Sequence, residues 1–400
     1  MNRVLRLGAG CSIVLLAACS GADDSSDASE LPPNTWQLVE TARIGSVDGP
    51  DDALTRVGAL LPLPNGAAWF VEPTERQVRV IGPDGRLSGR VGGPGQGPGE
   101  FTIPGRMGWW SGSHDTIWVA DQMSGNVALF SSEGSFGRSL RMPQVERNDE
   151  WVLPHPAAVG PDGVGLGIAQ YRPGGGAWER FPVLAFAMPD GEVLDEVLSV
   201  SRTDAVQVQW RGEILASGAH PMSDAPILAF SPVGTMVVVA DRDTAPSPDG
   251  PRVRLTAVSP QADTLWRRVL SYEPEPVPGD ELDVLWDERI EGFQRFVQLE
   301  GRLTADEARE AYTTSVPRPH HRPPVSTVKV DAANRTVVIW SAPPGSQSEG
   351  WLIDSAGDLV AAFSVPPGQE VLGFEGDFIW LLEYDEMEIP FIVRGQLTAS

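Results

Sequence analysis

Lysine is almost missing from this chain. It occurs once, at Lys329, and the 30 Lys and Arg together face 54 Asp and Glu, for a formal net charge of −24 at pH 7. Such a surface repels phosphate backbones, so nucleic acid is excluded as a partner. Cysteine is nearly as scarce. The only two, Cys11 and Cys19, stand close to the start, so a domain beginning after them has no disulfides and is held by its core alone. There are 5 His and 4 Tyr, and no HExxH, paired-Cys site or Ser-His-Asp order is present. No catalytic residue, metal site or cofactor is therefore assigned. The chain has 43 Gly and 36 Pro instead. That is the composition of a turn-rich, all-β protein.

The first residues have their own character. Arg3 and Arg6 precede a run of about twelve mostly apolar residues, Leu7 to Ala18, which is too short to span a bilayer as a helix. The run closes Leu16-Ala17-Ala18-Cys19, the form of a secretory signal with small residues at its cleavage site. Cys directly after it resembles the bacterial lipobox, which implies cleavage before Cys19 and acylation of that residue. Residues 1–18 are then the signal. Losing Arg3 and Arg6 with it makes the mature chain more acidic still. Residues 19–34, continuing SGADDSSDASELPPN, are too polar and acidic to bury much surface and are expected to be a disordered tether.

From residue 35 to 400 the grammar is repetitive. Trp69-Phe70-Val71-Glu72 recurs 49 positions later as Trp118-Val119-Ala120-Asp121, and the paired apolar residues and acid-Gly turns that follow fall at matching offsets. A period of roughly 40–50 residues made of short strands is the signature of propeller blades. Inner strand pairs recur from Leu63 to Phe70, Trp110 to Ile117, Val159 to Leu166, Phe230 to Val237, Val330 to Val337 and Gly373 to Trp380, which counts six blades. Turns such as PNG at 64–66 and PDG at 161–163 join them, and a second set, including PDG at 83–85 and SAG at 355–357, joins the outer strands. The last repeat lacks its fourth strand, and Trp36 to Ile44 has no other home. Pairing the two would join both ends of the chain in one blade and leave no open edge at the seam.

The run Gly89 to Phe101, reading GRVGGPGQGPGEF, and Asp115 to Asp121, reading DTIWVAD, resemble the six-bladed propeller lipoproteins of bacteria, related to NHL-repeat propellers. The ending Asp385 to Pro390, with Val393 and Leu397, is similar to that family's close. The resemblance covers most of residues 36–397. It implies a propeller fold and a place in the cell envelope, and brings no defined biochemical role.

Two stretches depart from the β grammar. Gly92 to Gly99 looks like a phosphate cradle, but no Lys or Ser/Thr follows as a P-loop needs, and Pro94 and Pro98 forbid the helix start of a dinucleotide fingerprint. It reads as a structural crossing between blades. Leu282, Leu285, Trp286, Ile290, Phe293 and Val297 follow helical spacing over 280–298, and Thr304 with Glu307 forms a capping box for a second helix. Residues 279–324 are thus a helical insertion and Pro-rich connector between blades 4 and 5, expected to pack on a face of the ring or to dock a partner.

Chemistry in a propeller belongs at the central channel. Arg106 and His155 fall at equivalent places, four residues before the strand anchors of neighbouring blades, and His220 and Asp224 precede the fourth inner strand. These four are the candidate ligand-binding residues, suited to an anion or small polar molecule. Three functions stay open: a non-enzymatic binding or scaffolding lipoprotein, a propeller enzyme such as a lactonase or quinone-dependent dehydrogenase, and a structural envelope component. The first is the expected one. Its setting is the membrane through lipid on Cys19, in the outer membrane and facing the periplasm or the surface, as a monomer, with an envelope protein or small ligand as partner.

Overall fold

The computed structural model describes residues 31–399, apart from 48, 50–51, 142–144, 148–150, 154–155, 172–179, 189–190, 202–204, 244–249 and 300. Six four-stranded antiparallel sheets form a six-bladed propeller. Blade 1 holds Leu60–Pro62, Ala68–Glu72, Gln77–Ile81 and Leu87–Val91, ordered from the centre outward. Blades 2 to 6 begin with the inner strands Pro104–Trp109, Ala158–Val159, Ile227–Phe230, Val325–Val330 and Glu370–Glu375.

Middle strands are apolar at successive positions because both faces of every blade are covered by a neighbour. Trp69 and Val71 pack against blade 2, whereas Ala68 and Phe70 pack against blade 6. Trp118 and Ala120 likewise turn toward blade 3 while Ile117 and Val119 turn back to blade 1. The alternation follows from the period of two in a strand. Each neighbouring pair of blades thus shares one apolar cluster.

The acid that closes each early repeat is structural. Asp121 accepts backbone N–H groups of Thr102, Ile103, Met123 and Ser124 at 2.7–3.2 Å. Burial would raise this carboxyl, but the four donors outweigh it and hold it below the ordinary carboxylate range. Glu72, its counterpart in blade 1, accepts from Thr55 N–H and the Gln77 amide. The glycine-rich crossing is built to seat Phe101, which is fully buried. Gly92 has φ +70°, and a Cβ there would lie 2.3 Å from the Phe101 ring.

Trp36–Ile44 pairs with Pro390–Ala399 along its whole length, with one bulge at Thr41, and completes blade 6. Arg394 reinforces the seam. Its buried guanidinium donates to the carbonyls of Gly66 and Pro83 in blade 1 and to Thr41 Oγ1. Just before the strand, Asn34 is bonded to Val360 and Ala362 of blade 5.

The helices lie where the spacing puts them, α1 at Gly279–Leu299 and α2 at Ala305–Ser315, between blades 4 and 5. Thr304 and Glu307 form the reciprocal capping box. Their apolar stripe does not rest on a blade. It packs on a two-stranded hairpin, Ala205–Trp210 and Glu213–Ala219, inserted between blades 3 and 4. Val208 and Leu215 of the hairpin share one cluster with Trp286, Ile290, Phe293 and Tyr312. The signal was present in the sequence: Val206, Val208 and Trp210 alternate before an Arg-Gly turn. A second addition is a small sheet of Val145–Arg147, Trp151–Leu153 and Gln170–Tyr171. Among the described residues no helix is long and apolar enough to cross a membrane.

Candidate ligand site in the central channel

At the centre of the ring lies a cavity of about 280 Å³, lined by the inner strands of blades 1, 2, 4, 5 and 6 and by Ala157 and Ile168 of blade 3. One end is closed by the turn of blade 4. Val233 is buried among Leu63 and Ala67 of blade 1 and Trp109 of blade 2, and the Pro232 carbonyl accepts the Trp109 N–H at 3.0 Å. Gly234 allows this crossing, since its φ is +67° and a Cβ would come within 2.3 Å of the Gly160 backbone. The turn is anchored to blade 5 by Thr235 to Asn334 and by Ser231 to the Asp331 carbonyl. Blade 5 is tied on to blade 6, because Glu375 accepts the Ala332 N–H. Burial, opposed by that N–H and reinforced by Asp331, pushes Glu375 up to about 7.

Two cations line the cavity. Arg106 stands on the inner strand of blade 2, within a bulge between Pro104 and Met107 that frees Gly105 and Arg106 from the ladder. A bulge re-aims side chains in this way. Lys329 stands on the inner strand of blade 5, diametrically across the ring. Its neighbours Val328 and Val330 pack toward blade 4, so the lysine takes the other face of the strand, toward blade 6. Among the described residues neither cation has an ion-pair partner. Burial lowers both below their ordinary values, and Glu370 only partly offsets this for Lys329. Arg106 is open to water within the cup, yet the ring around it excludes most of the bulk solvent that would stabilise its charge.

The other candidates from the sequence lie elsewhere. The His220 ring meets the Pro317 carbonyl at 2.5 Å and stands 6.2 Å from the Trp286 ring, which ties it to the helical insertion. Asp224 accepts from Arg242 at 2.5 Å and borders a separate crevice beside blade 5. Neither touches the central cavity. Their places follow from the segment linking the hairpin to blade 4, which runs along the insertion before it turns inward. His155 lies outside the described residues, as do Cys19 and the whole of 1–30. Lys329 was missed, although its signal was plain: the only lysine, set between two core valines of an inner strand.

A larger groove of about 730 Å³ runs beside blade 2, lined by Gln96, Glu100, Asp121 and Phe136 among others. Its carboxylates are already engaged, Asp121 as above and Glu100 by the Gly97 N–H. Among the described residues no three His, Cys, Asp or Glu converge as a metal site.

No family model matches the chain, and no curated protein matches it in sequence. Solved structures do resemble it in fold. A member of the DUF4221 family from Bacteroides vulgatus is 9% identical, with a TM-score of 0.45 over 92% of this chain and 99% of that one. A Bacteroides thetaiotaomicron protein of unknown function is 11% identical, with a TM-score of 0.40 over 90% and 76%. The PQQ-bound aldose sugar dehydrogenase of Streptomyces coelicolor is 12% identical, with a TM-score of 0.39 over 92% and 100%. Likeness at this level says nothing of activity.

Proposed function

We propose that this protein is a lipid-anchored binding module of the bacterial cell envelope, non-enzymatic, whose propeller holds a small anion in its central cavity. The observation that supports it most is the pairing of Arg106 and Lys329 across one cavity in a chain of net charge −24. Among the described residues neither cation has an ion-pair partner, and burial disfavours the charge on each, with Glu370 only a partial counter-charge for Lys329. An anion supplies the missing counter-charge.

Lys329→Met separates this reading from a structural one. The folded-state pKa of Lys329 is lowered, so the unfolded chain binds the proton more tightly. The resulting penalty on the native state is fully present below the lowered pKa, and it is relieved as pH rises from there to the ordinary lysine value. At pH 7 the variant is expected to melt about 1–4 °C higher than the parent without ligand, with the gain fading toward pH 10–11. The same variant should lose the thermal stabilisation that small carboxylates or phosphates give the parent. A salt-bridged, purely structural lysine would do the reverse: its loss would lower the melting temperature.

The anchor is tested separately. Cys19→Ala is expected to move the protein from the membrane to the soluble fraction, and only the parent should take up labelled palmitate. Several acyl chains on one residue hold far more firmly than one, at ~0.8 kcal/mol per buried methylene. A Cys19→Ala protein that stays with membranes would remove the lipid from this proposal.

A further inference from the structure

Resting on that reading, we infer that the anion is a multiply hydroxylated one, a sugar acid or sugar phosphate, held by both cations and by the open backbone edges of the inner strands. Each inner strand is the terminal strand of its sheet, and among the described residues no second strand pairs with it. An antiparallel edge strand sends alternate N–H and C=O groups away from its only partner. Here that direction is the channel. The side chains cannot cover these groups, because Leu61, Ala229, Val328, Val330 and Phe374 are drawn sideways into the clusters between blades. The wall of the cavity therefore offers backbone donors and acceptors beside the two cations. A bare anion could use the donors and the cations but would leave the carbonyls to water. Hydroxyl groups donate as well as accept, so a hydroxylated anion satisfies both halves of the wall. The volume, about 280 Å³, suits a molecule of monosaccharide size. Lys329 and Arg106 come from opposite blades, so such a ligand is gripped from two sides, and the head group sets which cation it meets.

Isothermal titration of the full-length protein in detergent tests this with matched probes. Acetate is compared with gluconate, phosphate with glucose 6-phosphate, and sorbitol serves as the uncharged polyol. At least one hydroxylated anion is expected to bind tenfold or more tightly than its bare counterpart, and the head group that wins tells carboxylate from phosphate. Lys329→Met and Arg106→Met should each weaken that binding at least tenfold, and Lys329→Arg should keep part of it. Melting curves of the same variants show that they are folded. If acetate and phosphate bind as tightly as gluconate and glucose 6-phosphate, the role of the hydroxyls is wrong while the anion site stands. If sorbitol matches gluconate, if none of the probes binds, or if the two methionine variants bind like the parent, the cation site fails and this inference falls with it.

Discussion

Removing residues 35–45 should cost on the order of 5 kcal/mol or more and leave a protein that self-associates. The strand from Trp36 to Ile44 pairs over its whole length with Pro390–Ala399. It also carries side chains into two different clusters: Ile44 and Ala42 toward blade 1, Trp36 and Leu38 toward blade 5. Deleting it uncovers apolar surface on both faces of blade 6, at roughly 25 cal/mol per Å². It leaves Arg394, buried between the Phe378 and Trp380 rings, without its Thr41 partner. It also turns Pro390–Ala399 into a bare edge, the kind of surface on which chains pair and aggregate. Thermal unfolding and light scattering read both effects. A synthetic peptide covering residues 33–46 should restore part of the stability in trans. A deletion variant that melts with the parent would show that the ring does not need this closure.

Trp286→Ala is expected to loosen one part of the molecule and spare the other. Trp286 is 2% exposed, packs edge-on against Tyr312 at 6.0 Å, and has the Arg318 guanidinium over its ring at 5.7 Å. Truncating a fully buried Trp costs about 3–5 kcal/mol. The cluster around it joins α1 and α2 to the hairpin and stands apart from the six clusters that bind the blades together. The loss should therefore appear as faster hydrogen exchange in 205–219 and 279–316 at nearly unchanged protection of the middle strands. Local units of this kind open independently when few apolar contacts cross their boundary. Arg322, which pairs with Glu275 and Glu281, and Arg318, which pairs with Asp283, tie the connector to α1 and the residues before it and should hold that end in place. Protection lost equally in blades 4 and 5 would show that insertion and ring unfold as one unit.

Much of this architecture could be read from residues alone, and the reason lies in the periods. Trp69, Trp118 and Trp380 recur because the middle strands of blades 1, 2 and 6 each bury a large side chain against the following blade. Turns such as 64–66, 161–163 and 231–234 recur because each inner hairpin reverses at the same end of the ring. The orphan strand at Trp36 was legible from counting, since a closed ring cannot keep a three-stranded blade at its seam. The capping box at Thr304 and Glu307 was legible because it is local, spanning three residues and needing no tertiary partner.

What decided the rest was distance between parts of the chain that no local pattern connects. The stripe on α1 showed that something must cover Trp286 and Phe293, but a stripe does not name its cover. Only folding brought hairpin 205–219 to it, from the far side of blade 4. In the same way, His220 reads as a channel residue by its position before an inner strand, and it is the insertion that captures it at the Pro317 carbonyl. Arg106 and Lys329 are more than 200 residues apart in the chain. The sequence determined a six-bladed ring, because repeated short-range periods leave few other ways to bury their apolar faces. That Arg106 and Lys329 should line one cavity from opposite blades depended on the order and closure of the blades, which set the second half of the ring opposite the first.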